Sequence, residues 1–378
     1  MAGPTLFPNP TSPRVLPSVQ RSMEPLIFHR RLPEYEVTPL YRLKALAGRL
    51  GIGELLMKDE SDRLGLPSFK ILGASWAVYT LLSRKLGLGM GSWEGLEELY
   101  ALLEPLRPLE LVTATDGNHG RAVASMAERL GLWARVFVPH HIKASRVDAI
   151  RSHGAEVVVV NGDYDDAVAA AAACAEDEAG SLLVQDTGWD LYEEVPSWIV
   201  DGYDTLFQEA GEQMLELGIG RPDLVLVQVG VGSLATAAVR HYFALSGSSM
   251  PRMLGVEPVS AATALASLKA GRPEMVPGPH KSVMTGLNCG LLSSPAWPWI
   301  RGGLDGIVAI EDDRAAQAAG ELRALGIDAG EAGAAGFGGL LEICSNPAMP
   351  FVRERARLST ASVVMVINTE GAASSDEE

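Results

Sequence analysis

The sequence predicts an α/β protein built on two open, mostly parallel sheets flanked by helices. Three observations lead there. Short aliphatic and β-branched runs recur along the chain and are near-continuously apolar, as strands buried on both faces require. Longer helix-forming stretches fall between them, and this alternation implies parallel pairing through crossover helices. Several runs end in small-residue turns that open a helix, where open parallel sheets bind ligands.

In chain order, the expected strands are 111–114, 134–138, 156–160, 181–185, 224–229, 253–256, 307–310 and 363–367. Helices are expected over 120–130, 197–217, 234–244 and 313–325. Ahead of them lies a proline-rich stretch (Pro4, Pro8, Pro10, Pro13, Pro17, Pro25 and Pro33). Proline removes backbone donors and blocks helices, so an extended arm is expected over about 1–34, lying over the body or a partner. Lys58 to Arg63 reads as a polar loop. The end, Ser374 to Glu378, reads as a solvated tail. No fixed-period repeat is visible.

Bulk properties narrow the function. A chain of 378 residues with 47% apolar content suits two soluble domains with large cores. The formal charge of −16 argues against nucleic acid and anionic membranes as partners. It leaves anionic small ligands open, because local donors override a net field. Cys174, Cys289 and Cys344 are far apart with no CxxC pair, which argues against a metal site or a disulfide framework and fits a reducing cytosol. No apolar run is long enough to span a membrane, and no secretory signal is visible. The expected location is cytoplasmic.

Three motifs carry chemistry. The first is Ser68-Phe69-Lys70-Ile71-Leu72-Gly73-Ala74, where a lysine opens an apolar helix. A lysine amine forms Schiff bases with carbonyl cofactors, and desolvation or a nearby cation makes it more nucleophilic. Taken alone, such a lysine is far more often a solvated surface residue. The second is Ala114-Thr115-Asp116-Gly117-Asn118-His119-Gly120-Arg121, a strand-to-helix turn whose glycines permit close backbone approach. Asn118 offers an amide to a phenolic oxygen; the bland reading is a capped turn. The third is Gln228-Val229-Gly230-Val231-Gly232-Ser233-Leu234-Ala235. Its successive N–H groups and helix dipole make a phosphate cradle, to which Ser233 adds a hydroxyl. A dinucleotide site would look similar. Ala235 is a tolerated third position of GxGxxG, and Glu257 lies near the distance of a ribose contact, so spacing leaves that open.

The order of the three is more specific than any one of them. A lysine near residue 70, a GNHG turn about fifty residues later and a phosphate loop about a hundred further on resemble the fold-type-II, tryptophan-synthase-β-like, pyridoxal-phosphate-dependent enzymes. The resemblance runs from about Tyr35 to Gly371. Within that family the local details are most similar to the diaminopropionate ammonia-lyases. They include Lys58-Asp59-Glu60-Ser61, the ATDGNHGR turn, Gln185-Asp186-Thr187-Gly188-Trp189, Gly330-Glu331-Ala332-Gly333-Ala334 and Asn368-Thr369-Glu370-Gly371. The common dehydratases have serine where this chain has Asp116.

The resemblance implies pyridoxal 5′-phosphate as cofactor, a small amino acid as substrate and a homodimer. It places the cofactor between a large domain, 1–75 with 200–378, and a small domain, 76–199, that carries the Asn118 loop. Lys70 would hold the cofactor, with Phe69, Asn118, Gly230, Val231, Gly232, Ser233, Leu234 and Glu331 around it. At the pyridine nitrogen many relatives have serine or threonine. Here Asn368 stands there, followed by Thr369, and either is a candidate. The implied reaction is α,β-elimination of ammonia from 2,3-diaminopropionate. Asp116 and Asp186 would hold the β-ammonium or take the α-proton, because a carboxylate attracts the extra charge that a serine hydroxyl does not. Lys70 is the alternative base. His119 reads as a turn residue and Cys289 as packing. The rival readings are a lyase for serine, threonine or another β-substituted alanine, and a pyridoxal-phosphate-binding protein without turnover.

Overall fold

All eight apolar runs form strands in the computed structural model, which describes residues 5–9, 15–89, 92–178, 180–345 and 358–372. Pro4, Pro10, Pro13 and the expected tail lie outside the described residues. In chain order the strands are β1 (Thr5–Pro8), β2 (Leu40–Arg42), β3 (Glu54–Asp59), β4 (Glu110–Ala114), β5 (Trp133–Pro139) and β6 (Glu156–Val160). They continue with β7 (Ser181–Leu183), β8 (Leu224–Gln228), β9 (Arg252–Pro258), β10 (Gly306–Ile310) and β11 (Val363–Asn368). Among the described residues they form two sheets, ordered β1-β10-β9-β8-β11-β3-β2 and β6-β5-β4-β7. The smaller sheet is parallel throughout. The larger is parallel except for β1 and β2, which pair antiparallel at its two edges.

Three strands escape the sequence pattern. β1 lies inside the proline-rich stretch, and its Pro8 is tolerated because an edge strand has backbone groups without ladder partners. β2 has only three residues. β3 corrects the expected polar loop: Lys58 and Asp59 are its last two residues, and Lys58, Glu60 and Arg63 are fully buried. They are buried because they are paired. Lys58 Nζ donates to the Thr38 carbonyl at 2.7 Å, to Glu209 Oε2 at 2.7 Å and to Gln213 Oε1 at 3.0 Å, matching the three donors of an ammonium. Arg63 Nη1 donates to the Glu36 carbonyl, and Glu60 Oε1 accepts from Thr38 Oγ1.

The chain divides into two units. One comprises Met1–Arg21, Val37–Asp62 and Leu206–Ala372; the described part of the other is Ser22–Glu36 with Arg63–Thr205. Residues 22–36, 63–75 and 200–205, expected with the chain ends, therefore belong with the middle of the chain. The seven-stranded unit packs β3, β8, β9, β10 and β11 against helices that include Asp312–Ala324 and Ala335–Ser345, through a core containing Leu55, Leu226, Val256, Ile310, Phe337 and Val366. The four-stranded unit has a smaller cluster of Val112, Ala114, Phe137, Ala167 and Ala171 beneath the helix Tyr164–Asp177. Among the described residues no helix is long and apolar enough to cross a membrane, and none of the three cysteines is in a disulfide.

Candidate active site

Lys70 is the first residue of the helix Lys70–Leu86. Two glycines fix where that helix lies. A Cβ on Gly73 would stand 2.5 Å from the Tyr203 ring and 2.7 Å from Ile199, and one on Gly202 would stand 2.3 Å from the Leu72 carbonyl. Only glycine lets the two backbones approach so closely. The Phe69 ring packs on Tyr203 with centroids 4.6 Å apart, and Lys70 Nζ lies 5.6 Å from the Phe69 ring centroid. The Lys70 side chain keeps 20% of its surface exposed.

Asp186 meets that amine. Its Oδ2 lies 2.6 Å from Lys70 Nζ, while Oδ1 accepts from Tyr164 Oη at 3.3 Å and Gln185 Nε2 at 3.2 Å. Burial would raise the Asp186 carboxyl, but the charge of Lys70 and the bonds from Lys70 and Tyr164 outweigh it and hold it low, at about 2. Gln185 explains why β7 stops two residues early. Its backbone N–H turns to Tyr192 Oη, and its side-chain Oε1 accepts from Ala114 N and Thr113 Oγ1 in place of a ladder bond.

The Asp116 turn follows β4. Thr115 Oγ1 accepts from Gly117 N at 2.9 Å, and Gly117, at φ +146°, takes a conformation closed to other residues before the helix Asn118–Leu130 begins. Half-buried Asp116 differs sharply from Asp186. Burial raises its carboxyl to about 7; Arg146 and Lys70 pull it down, and the charges of Asp186 and Asp165 push it up. His119 is buried and donates from Nε2 to the Val184 carbonyl at 2.8 Å, which leaves Nδ1 as the lone-pair nitrogen, 4.0 Å from Asp186 Oδ2. Burial lowers its basicity, and the Lys70 charge adds to that. Lys70, Asp116, His119 and Asp186 thus share one neighbourhood within the four-stranded unit, with Asn118 opening the adjoining helix.

In the seven-stranded unit, β8 runs through Gly230 and Val231 into the helix Ser233–Ser246, with Gly232 as its left-handed N-cap at φ +96°. A Cβ on Gly230 would lie 3.2 Å from the Gly286 carbonyl and 3.3 Å from Cys289 Sγ. The first N–H groups of a helix point out of its end, so the amides around Ser233 and Leu234 face an incoming anion. Gln228 secures this loop. Its Nε2 donates to the Gly333 carbonyl at 2.6 Å and the Ile367 carbonyl at 2.8 Å. Asn368 is fully buried, and its Nδ2 donates to Asp59 Oδ1 and the Asp328 carbonyl, leaving Oδ1 as its unfilled acceptor. Thr369 donates its N–H to the Gly333 carbonyl. Glu331 is partly exposed and lies 3.7 Å from Arg323. Glu257 is no ribose ligand: it is fully buried and caps the helix Thr263–Ala270 through Ala264 N and Leu265 N.

Residues 32–352 match the pyridoxal-phosphate-dependent enzyme family. The diaminopropionate ammonia-lyase of Salmonella typhimurium is 39% identical over 362 residues, covering 93% of this chain and 89% of that protein. The chain belongs to the pyridoxal-phosphate-dependent enzymes, in their diaminopropionate ammonia-lyase family. The Escherichia coli diaminopropionate ammonia-lyase, solved with an aminoacrylate-PLP azomethine reaction intermediate, superposes with a TM-score of 0.88 at 33% identity, covering 97% of this chain and 94% of that one. Its complex with D-serine gives a TM-score of 0.89 at the same identity, covering 97% and 94%. The cofactor of the family fits the donor set. A pyridoxal-phosphate enzyme needs an accessible lysine amine and backbone donors for a phosphate. In the four-stranded unit Lys70 would meet the first need; in the seven-stranded unit the turn at Gly230 and Gly232, where a Cβ would intrude, would meet the second.

Sequence reasoning missed Tyr164 and Arg146, and it named Gln185 and Gln228 only as the leading residues of motifs, without a role. All four act through a neighbour. The one local signal was the Asp163 capping box, which starts the Tyr164 helix but says nothing of the phenol.

Proposed function

We propose that this chain releases ammonia from 2,3-diaminopropionate, with water, to give pyruvate and two ammonia molecules. The observation that carries this reading is the pair of strand-end aspartates of opposite character: Asp186 held ionised beside Lys70, and Asp116 poised near neutrality. Two carboxyl groups whose environments drive their ionisation apart mark one as a fixed charge and the other as an acid–base group. Bound pyridoxal 5′-phosphate supplies the electron sink for the carbanion. Lys70 would carry it covalently, Asn118 would bond its phenolic oxygen, and the amides of Gly230 to Leu234 with the Ser233 hydroxyl would hold its phosphate. Asn368 and Thr369 are the candidates for its ring nitrogen, with Phe69 and Glu331 lining the ring.

In this reading Asp186 holds the β-ammonium, an interaction that a hydroxy amino acid cannot match. Asp116 takes the α-proton from one enantiomer and Lys70 from the other. The D-serine complex of the Escherichia coli relative supports access by a D-amino acid. The leaving group departs as ammonia without a further proton, because it is bound as an ammonium. A homodimer in the cytosol completes the proposal; sedimentation of the purified protein reads the first part. The deciding experiment is keto-acid release from D- and L-2,3-diaminopropionate, serine and threonine. Diaminopropionate should exceed serine in kcat/KM by at least the ~10-fold of one charge-assisted bond. Faster turnover of serine or threonine would overturn the substrate assignment.

A further inference from the structure

Arg146 projects from the helix Ala144–Arg151 onto the Asp116 turn. Its Nη1 donates to the Asp116 carbonyl at 2.7 Å. The guanidinium also lies along Gly117: a Cβ there would stand 3.0 Å from Arg146 Nη1 and 3.1 Å from its Cδ. The glycine therefore serves two ends, its open backbone conformation and the passage of this side chain. We infer that Arg146 is the positioning residue of Asp116, clamping the turn through its carbonyl and setting the protonation state of its carboxyl.

The inference rests on the proposed role of Asp116 and deepens it. Four charged groups act on this carboxyl from the neighbouring elements: Arg146 from its own helix, Asp165 from the helix Tyr164–Asp177, Asp186 beyond β7, and Lys70 from the start of its helix. Burial and two carboxylates oppose ionisation, and of the two cations Arg146 counts for more. Lys70 is also the one already committed to Asp186. Without Arg146, the balance falls to the groups that favour the neutral acid. A neutral Asp116 neither accepts an α-proton nor attracts an ammonium. The clamp thus decides whether a base exists at working pH.

The test uses the holoenzyme and two variants, Arg146→Gln and Arg146→Lys. Infrared titration follows the protonated carboxyl band that disappears in Asp116→Asn. An opposite charge at close range moves such a midpoint by about 1–3 pH units. Arg146→Gln should therefore raise it by at least about one unit, and the acidic limb of kcat/KM should move equally for the enantiomer whose proton Asp116 takes. Arg146→Lys keeps the charge and should hold the midpoint within about half a unit of the parent, while the lost fork lowers kcat. A midpoint unchanged in Arg146→Gln, or moved as far in Arg146→Lys, overturns the inference; the second reading alone decides if Arg146→Gln does not fold. The infrared midpoint needs no substrate. If it moves as expected but neither diaminopropionate enantiomer is turned over, Arg146 keeps its role and the substrate reading falls.

Discussion

Two lysines in this protein each face a carboxylate, and they are held to opposite ends. Lys58 in the seven-stranded unit is fully buried, and three acceptors meet its three donors. Lys70 in the four-stranded unit lies 2.6 Å from Asp186, yet a fifth of its side chain stays open to solvent. The first arrangement locks an ammonium in place. The second keeps an amine charged, oriented and reachable. An ion pair alone does not distinguish a structural lysine from a chemical one; exposure and the completeness of its bonding do.

Removing either amine tests this directly. Lys70→Ala should cost at least the ~10²–10⁴-fold that loss of a proton-transfer group costs, and borohydride should then fix no label in the protein. Peptide mapping of the parent should put that label on Lys70; label at Lys58 would invert the comparison. Lys58→Met should leave Glu209 as an uncompensated buried charge and destabilise the fold by ~3–5 kcal/mol, read by urea unfolding, with turnover per folded molecule preserved. Adding Glu209→Leu should restore most of that loss, because a well-packed apolar pair replaces a buried ion pair at little cost.

A more gradual effect, spread over several pH units, is expected at Glu257, a buried carboxyl held by helix amides. Burial raises it from 4.5 to about 8, against the bonds from Leu265 and Ala264. The folded state then keeps a proton that the unfolded chain has lost. The contribution of this group is therefore flat below about pH 4.5, and stability falls as pH rises through the window up to about 8, by at most ~1.4 kcal/mol per unit. Glu257→Gln should remove that slope while losing about 1 kcal/mol at pH 5, where one of its two acceptor bonds goes. An identical slope in the variant would show that Glu257 does not titrate there. The mildest change is Gly232→Val. Its backbone at φ +96° disfavours a β-branched residue, and the phosphate loop should release cofactor about tenfold more readily while the fold persists. Unchanged cofactor retention on dialysis would place the phosphate donors elsewhere.

The legible parts of the sequence were those that repeat a local rule. Apolar runs such as 224–229 and 363–367 became strands, and Lys70, Asp116 and Gly232 stand at element ends as read. β3 was hidden because Lys58 to Arg63 looks like surface; its partners Glu209 and Gln213 are about 150 residues away, and no local pattern announces them. The affiliation of residues 63–75 was hidden for a similar reason. It depends on the packing of the helix Lys70–Leu86 against the helix Asn118–Leu130, a contact between distant segments that no local pattern announces. At the site, Asp186 could be named from its neighbours in sequence, but the bonds from Tyr164 and Gln185 that orient it had no spacing to betray them.

The position of β11 bears on how the chain is made. This last strand does not extend the large sheet at an edge but fills the gap between β8 and β3, and the Gln228 amide bonds the carbonyl of its Ile367. On a ribosome, residues 63–205 emerge as one uninterrupted stretch and have all four strands of their sheet in hand. The seven-stranded sheet must wait with its centre open until residues 363–368 have been synthesised. Nascent chains stalled before residue 363 should therefore resist protease over the four-stranded unit, and remain cleavable around β3 and β8 until the final strand arrives.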